Sequence, residues 1–174
     1  ELAAEVIEAP DGKTYTFKIR QGVTFHDGSA LTSKDIKATY DRLRKPPEGV
    51  LSVRKAVFSD IVDVQAPDAT TLVFTLKAPD PDFLSIVGLP YNCVYSASLL
   101  EKDPRGPEKT VMGSGPFQFV EHVNGASWTA KKFDKYYDKG KPYLDGFKAY
   151  YIKANALSNA LKGGQVMAEF RSVT

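Results

Sequence analysis

Cysteine is nearly absent from this chain: Cys93 is the only one in 174 residues. An internal disulfide and a cysteine-based zinc cluster are both excluded. Two histidines, His26 and His122, are too few for a histidine-rich metal site, so no metal is expected. No stretch approaches the ~18 apolar residues that a membrane span needs, so membrane insertion is not expected. An excess of one charge is also missing. The 23 basic and 21 acidic residues leave a net charge of +2, which excludes a dedicated nucleic-acid binder. The longest apolar run near a terminus is Leu2 to Ala4, so no signal peptide is expected in this stretch. The chain opens at Glu1 without a methionine and stops at Thr174, just after an apolar segment. Both ends read as cut, and a piece of a larger protein is expected.

What is present is the material of a folded domain: 43% hydrophobic, 11% aromatic and 25% charged residues, well outside the disordered range. A chain of this length buries roughly 70% of its unfolded surface and needs no covalent staple.

The first unit reads as a hairpin. Residues 5–9 lead into the turn Pro10-Asp11-Gly12. Tyr15, Phe17 and Ile19 then alternate with polar residues at period two, as in a half-buried strand. The lettering returns at a constant offset: Ala9-Pro10-Asp11, Thr14, Phe17, Ile19 and Arg20 recur as Ala66-Pro67-Asp68, Thr71, Phe74, Leu76 and Lys77. A solenoid needs three repeats, so two matched hairpins of one sheet are expected. Between them, Thr32 and Asp35 have capping-box spacing. Ile36, Tyr40 and Leu43 follow on one helical face, and Pro46-Pro47 ends the helix. Phe17, Phe74 and Tyr40 are expected to share one core. A short helix at 81–87, an irregular stretch at 88–93 and a helix from Ser96 or Ala97 come next. Pro104-Arg105-Gly106-Pro107 is the best linker candidate.

Beyond it the texture changes. Residues 117–123 and 127–133 flank Asn124-Gly125, a strong hairpin signal. A loop at 134–146 is followed by a strand at 147–152. A helix at 154–161 carries Leu157 and Leu161 and is ended by Gly163-Gly164. A last strand is expected at 166–170, which makes a short βαβ unit with a parallel pair.

Few residues invite chemistry. His26-Asp27 sets an imidazole beside a carboxylate, but neighbours on an extended chain point apart and no nucleophile motif accompanies them. A turn at Asp27-Gly28 is the preferred reading. Gly113-Ser114-Gly115 lacks the lysine and spacing of a phosphate loop, and no cofactor is expected. A positive φ at Gly113 or Gly115 is expected instead. Cys93 reads as a small, semi-buried residue. Tyr136, Tyr137, Tyr143, Tyr150 and Tyr151 read as core and edge packing rather than a stacking platform. These residues alone reach an α/β domain pair with no evident catalytic site.

The run from Asp11 to Gly28, DGKTYTFKIRQGVTFHDG, resembles the signature of the family 5 extracellular solute-binding proteins, the dipeptide, oligopeptide and nickel receptors of ABC importers. Leu31-Thr32-Ser33-Lys34-Asp35-Ile36 continues the pattern, and Gly113-Ser114-Gly115-Pro116-Phe117 resembles a second block. Tyr136-Tyr137, Pro142-Tyr143-Leu144-Asp145 and the run from Ala160 to Val166 resemble later ones, in the family's order. Departures occur at Phe133-Asp134, where the family has Asn-Pro, at Tyr137 for a tryptophan, and at Met167 for an acidic residue.

The resemblance implies an α/β chain that is a fragment of a periplasmic-binding-protein type II-like fold, with a small α+β extra domain. Residues 1–110 would form that extra domain, of two hairpins and helices. Residues 111–174 would form part of the first ligand-gripping lobe. It further implies a receptor that captures a peptide or small-molecule solute by two-lobe closure, performs no catalysis, and delivers the solute to the membrane subunits of an ABC permease. The location implied is periplasmic, or extracellular and lipid-anchored as in Gram-positive relatives. Phe170, Arg171 and Ser172, after the last expected strand, are the first candidates to face the ligand, Arg171 as partner of a peptide carboxylate. Tyr91 and Asn92 are further candidates. Two other readings stay open: an interaction domain without solute, and a hydrolase using His26.

Overall fold

In the computed structural model, residues 2–169 are described. They form two antiparallel sheets with helices packed on the first. Strands β1 (Ala3–Glu8), β2 (Thr14–Ile19), β3 (Ile61–Asp68) and β4 (Thr71–Leu76) make a sheet of order β1-β2-β4-β3. The two matched hairpins thus join through their second strands, with Tyr15 opposite Phe74 and Phe17 opposite Leu72. Each turn is closed by its repeated aspartate: Asp11 accepts from the backbone of Lys13, and Asp68 from that of Thr70, both at 2.8 Å. Pro67 lies within β3, which tolerates it because β3 is an edge strand and its register slips between Gln65 and Asp68.

Period two puts Tyr15, Phe17, Ile19, Leu72, Phe74 and Leu76 on one face, and all are buried. Helix α1 (Ser33–Arg44) lays Ile36 and Tyr40 against that face. The rings of Phe17 and Tyr40 stand 5.5 Å and 4.9 Å from Phe74, edge-on, so the expected shared core is formed. Helix α2 (Phe83–Val87) adds Phe83, 4.7 Å from Tyr15 and 5.4 Å from Phe74. Truncating a ring at this centre costs ~3–5 kcal/mol.

The capping box of α1 also starts a second helix. Asp35 Oδ2 accepts from the Thr32 backbone at 2.7 Å and from its hydroxyl at 3.0 Å. Asp35 Oδ1 accepts from the Ala97 backbone at 2.8 Å, at the first residue of α3 (Ala97–Lys102). At the other end of α1, Arg44 is buried and spends its donors on Asp41 and on the carbonyls of Ile61 and Val62. The Pro104–Pro107 stretch is more than a tether: Arg42 Nε donates to the Pro104 carbonyl at 3.0 Å, and residues 106–108 form a single 3-10 turn.

The second sheet has order β5-β6-β7, from β5 (Phe117–Val123), β6 (Ser127–Lys132) and β7 (Gly146–Tyr150). Trp128, Phe119, Phe147 and Phe117 pack along one side, with centroids 5.1–5.6 Å apart. Gly146 is there because nothing larger fits: a Cβ would lie 2.5 Å from the Ala130 carbonyl oxygen. Helix α4 (Ala154–Lys162) follows and ends where Gly164 turns to positive φ.

Four expectations need correction. Residues 166–169 are not strand, so the described part of the last stretch forms no βαβ unit and the second sheet is wholly antiparallel. Strand formation depends on a pairing neighbour more than on local lettering. Neither Gly113 nor Gly115 has a positive φ. Cys93 is exposed, on the irregular stretch after α2. Tyr143, Tyr150 and Tyr151 are exposed and add nothing to the core; Tyr150 and Tyr151 keep only edge contacts, with Lys148 and His122.

Candidate functional site

The loop between β2 and α1 is a compact reversal. Val23, Phe25 and Leu31 are buried, and Asp27-Gly28 form its tip, with Gly28 at φ +88°. The Asp27 carboxylate accepts from the backbone and hydroxyl of Ser29, at 2.9 Å and 2.6 Å. These bonds hold its pKa below the usual carboxylate range. Asp27 therefore serves the turn.

His26 points to the second sheet. Its backbone N–H donates to Gly113 O at 2.8 Å, its Nε2 stands 3.0 Å from Gly115 O, and its own carbonyl accepts from Gln118 Nε2 at 2.9 Å. Its ring lies edge-on to Phe133, centroids 4.9 Å apart. A Cβ on Gly113 would sit 3.5 Å from the His26 ring. The second block thus offers one backbone carbonyl, of Gly113, to the His26 backbone and another, of Gly115, to its ring; its glycines do not supply unusual dihedrals. Met112 and Tyr137 pack against the core of the first sheet, and the Arg20 guanidinium lies 5.6 Å from the Tyr137 ring centre. Sequence reasoning named His26 and Gly115 separately. That both fall in ordered motif blocks was the available signal that they meet.

Of the expected ligand-facing residues, Phe170, Arg171 and Ser172 lie outside the described residues. Tyr91 is exposed, with the Arg54 guanidinium 5.9 Å from its ring centre. Asn92 is half-buried. Its Nδ2 donates to the carbonyls of Ile86 and Val87 at 2.7 Å and 3.1 Å, and its Oδ1 is shielded from water with no partner among the described residues. Asn92 also borders an apolar cavity of about 450 Å³ lined by Val6, Phe17, Tyr40, Leu72 and Leu89 among others. Arg54, in the loop at 45–55, lies beside Tyr91 and does not line that cavity. Among the described residues no group of three His, Cys, Asp or Glu side chains could hold a metal, and no helix is long and apolar enough to cross a membrane.

Comparison with known proteins places this arrangement. The glutathione-binding protein GsiB of Escherichia coli K12 is 32% identical over 144 residues, 83% of this chain. The PBP AgaA from A. tumefaciens R10, solved in complex with agropinic acid, superposes with a TM-score of 0.88 at 36% identity over 95% of this chain. The oligopeptide-binding protein AppA from Bacillus subtilis, solved with a nonapeptide, gives a TM-score of 0.84 at 29% identity, again over 95% of this chain. The chain spans only 28% of GsiB, 33% of AgaA and 34% of AppA. Its α/β architecture is part of the type II-like periplasmic-binding-protein fold of these neighbours. The bacterial extracellular solute-binding proteins, family 5 Middle, match residues 1–173. With that match over nearly its whole length, and with the histidine of its first motif block bonded to the glycines of its second, the chain belongs to the family 5 bacterial extracellular solute-binding proteins.

Proposed function

We propose that this chain is part of a receptor that captures a carboxylate-bearing solute, a peptide or related small molecule, by closure of two lobes, and passes it to the membrane permease of an ABC importer. The observation that carries the reading is the family match over residues 1–173. Family members are substrate-binding proteins rather than enzymes. The relatives support the solute class: glutathione, agropinic acid and a nonapeptide all carry carboxylates.

In this reading residues 1–110 are the small extra domain and residues 111–174 are part of the first ligand-gripping lobe. The His26 joint lets the two move as one wall while a hinge elsewhere closes the cleft. Tyr91 and Asn92 face the solute from the extra domain, and Phe170, Arg171 and Ser172 face it from the lobe. The receptor works outside the cytoplasmic membrane, periplasmic or lipid-anchored, and does no chemistry on its cargo. The hydrolase reading is disfavoured because the His26 Nε2 is engaged by a carbonyl and the Asp27 carboxylate by Ser29.

Isothermal titration of the intact protein with glutathione and a mixed di- and tripeptide library tests the proposal. Saturable binding supports it, and the absence of heat from every member of the set contradicts it. The 174 residues alone should bind more weakly than millimolar, since one wall supplies about half of the contacts behind a micromolar complex worth about −8 kcal/mol.

A further inference from the structure

Arg54 follows α1 in the loop that runs to β3. Its guanidinium carbon stands 5.4 Å from the centre of the Phe58 ring and 5.9 Å from that of Tyr91. Phe58 is buried and Tyr91 exposed, so the cation sits where the core meets water. Contact with aromatic faces holds a flat guanidinium by cation–π attraction and fixes its orientation.

No hydrogen-bond acceptor among the described residues meets this group. Its Nε is shielded from solvent and unpartnered, and no carboxylate among the described residues pairs with it. Other arginines of this part of the chain differ. Arg44 is satisfied by Asp41 and two carbonyls, Arg42 by Pro104 and Arg105 by Glu108. A shielded donor left unmade is costly, and more so on a charged group. The charge also reaches inward: burial pushes the Tyr40 hydroxyl pKa far up, and Arg54 opposes that shift. A charged, unpartnered donor beside an exposed ring matches a carboxylate. Every peptide with a free C-terminus offers one.

We infer that Arg54, held against Phe58 and Tyr91, is the carboxylate-recognising group of this wall. The inference rests on the solute-binding reading above and adds to it the residue that selects for negative charge. A guanidinium meets a carboxylate with two parallel bonds, whereas a lysine offers only a point charge.

The test uses the intact protein, freed of bound solute by unfolding and refolding. A tripeptide library is titrated in two forms, with free C-terminal carboxylates and as the corresponding amides. The wild type is expected to prefer the carboxylate form by about tenfold or more. Arg54→Gln should reduce affinity for the carboxylate form to that for the amides, with affinity for the amides unchanged. Arg54→Lys should lose part of the preference and keeps the test readable if the glutamine variant fails to fold. If the wild type binds and Arg54→Gln binds the carboxylate form equally well, the inference is overturned while the solute-binding reading stands. An equal loss for both forms overturns it too, because the side chain then acts through shape. If the wild type binds neither form, the inference fails together with the peptide reading beneath it.

Discussion

His26 Nε2 lies 3.0 Å from the carbonyl oxygen of Gly115, a residue 89 positions further along the chain. A carbonyl only accepts, so the imidazole must carry its proton on Nε2 to make the bond. With the backbone bond to Gly113 and the Gln118 bond to the His26 carbonyl, three contacts fasten the loop before α1 to the approach of β5. The residue that looked most like a catalyst is a joint between the two sheets.

His26→Ala should therefore loosen that joint without harming either core. Loss of the side-chain bond and of the contact with Phe133 should lower unfolding stability by about 1–3 kcal/mol. Amide exchange at Gln118 and neighbouring β5 positions should quicken, while that of β4 stays as it was. Unchanged exchange at β5 would show that the joint carries no load.

Gly146→Ala probes the second sheet. The added Cβ would meet Ala130 O at 2.5 Å and the Lys131 Cα at 3.2 Å, both backbone atoms that cannot swing aside. The β6–β7 ladder, which pairs Lys131 with Gly146, must separate locally. A cost of about 1–3 kcal/mol is expected, with lost exchange protection confined to β6 and β7. Wild-type stability would contradict the close approach.

The pH dependence follows from the turn carboxylates. Side-chain and backbone bonds from Ser29 lower the pKa of Asp27, and bonds from Thr70 lower that of Asp68. Folded-state values below the unfolded ones mean that these groups stabilise the fold above the unfolded carboxylate pKa. The contribution is lost as pH falls through the folded values. The urea midpoint should hold between about pH 7 and 5 and drop below about pH 4. The double variant Asp27→Asn, Asp68→Asn should show a shallower drop. An identical acid slope in the variant would contradict the assignment.

Much of this fold was legible because its signals are local. Period two in Tyr15, Phe17 and Ile19, the Thr32–Asp35 spacing and Asn124-Gly125 each act within a few residues. The repeated lettering around Asp11 and Asp68 even anticipated that the hairpins share a sheet. What failed depended on distant partners. Gly113 and Gly115 looked like turn glycines, whereas what the structure shows is that their carbonyls bond His26, 87 and 89 positions earlier in the chain. A strand was read after α4, but local lettering cannot supply a pairing neighbour. Arg54 was invisible in sequence, since its character comes from Phe58 and Tyr91 lying against it.

The central claim is that this chain serves a protein that holds a small solute without transforming it. Native mass spectrometry of the intact protein, purified gently from cells, tests it most directly. The account predicts a non-covalent mass excess that disappears on denaturation and leaves a carboxylate-bearing molecule of peptide size, chemically unaltered. A spectrum showing only the bare protein, together with no solute that restores an excess on addition, would contradict it.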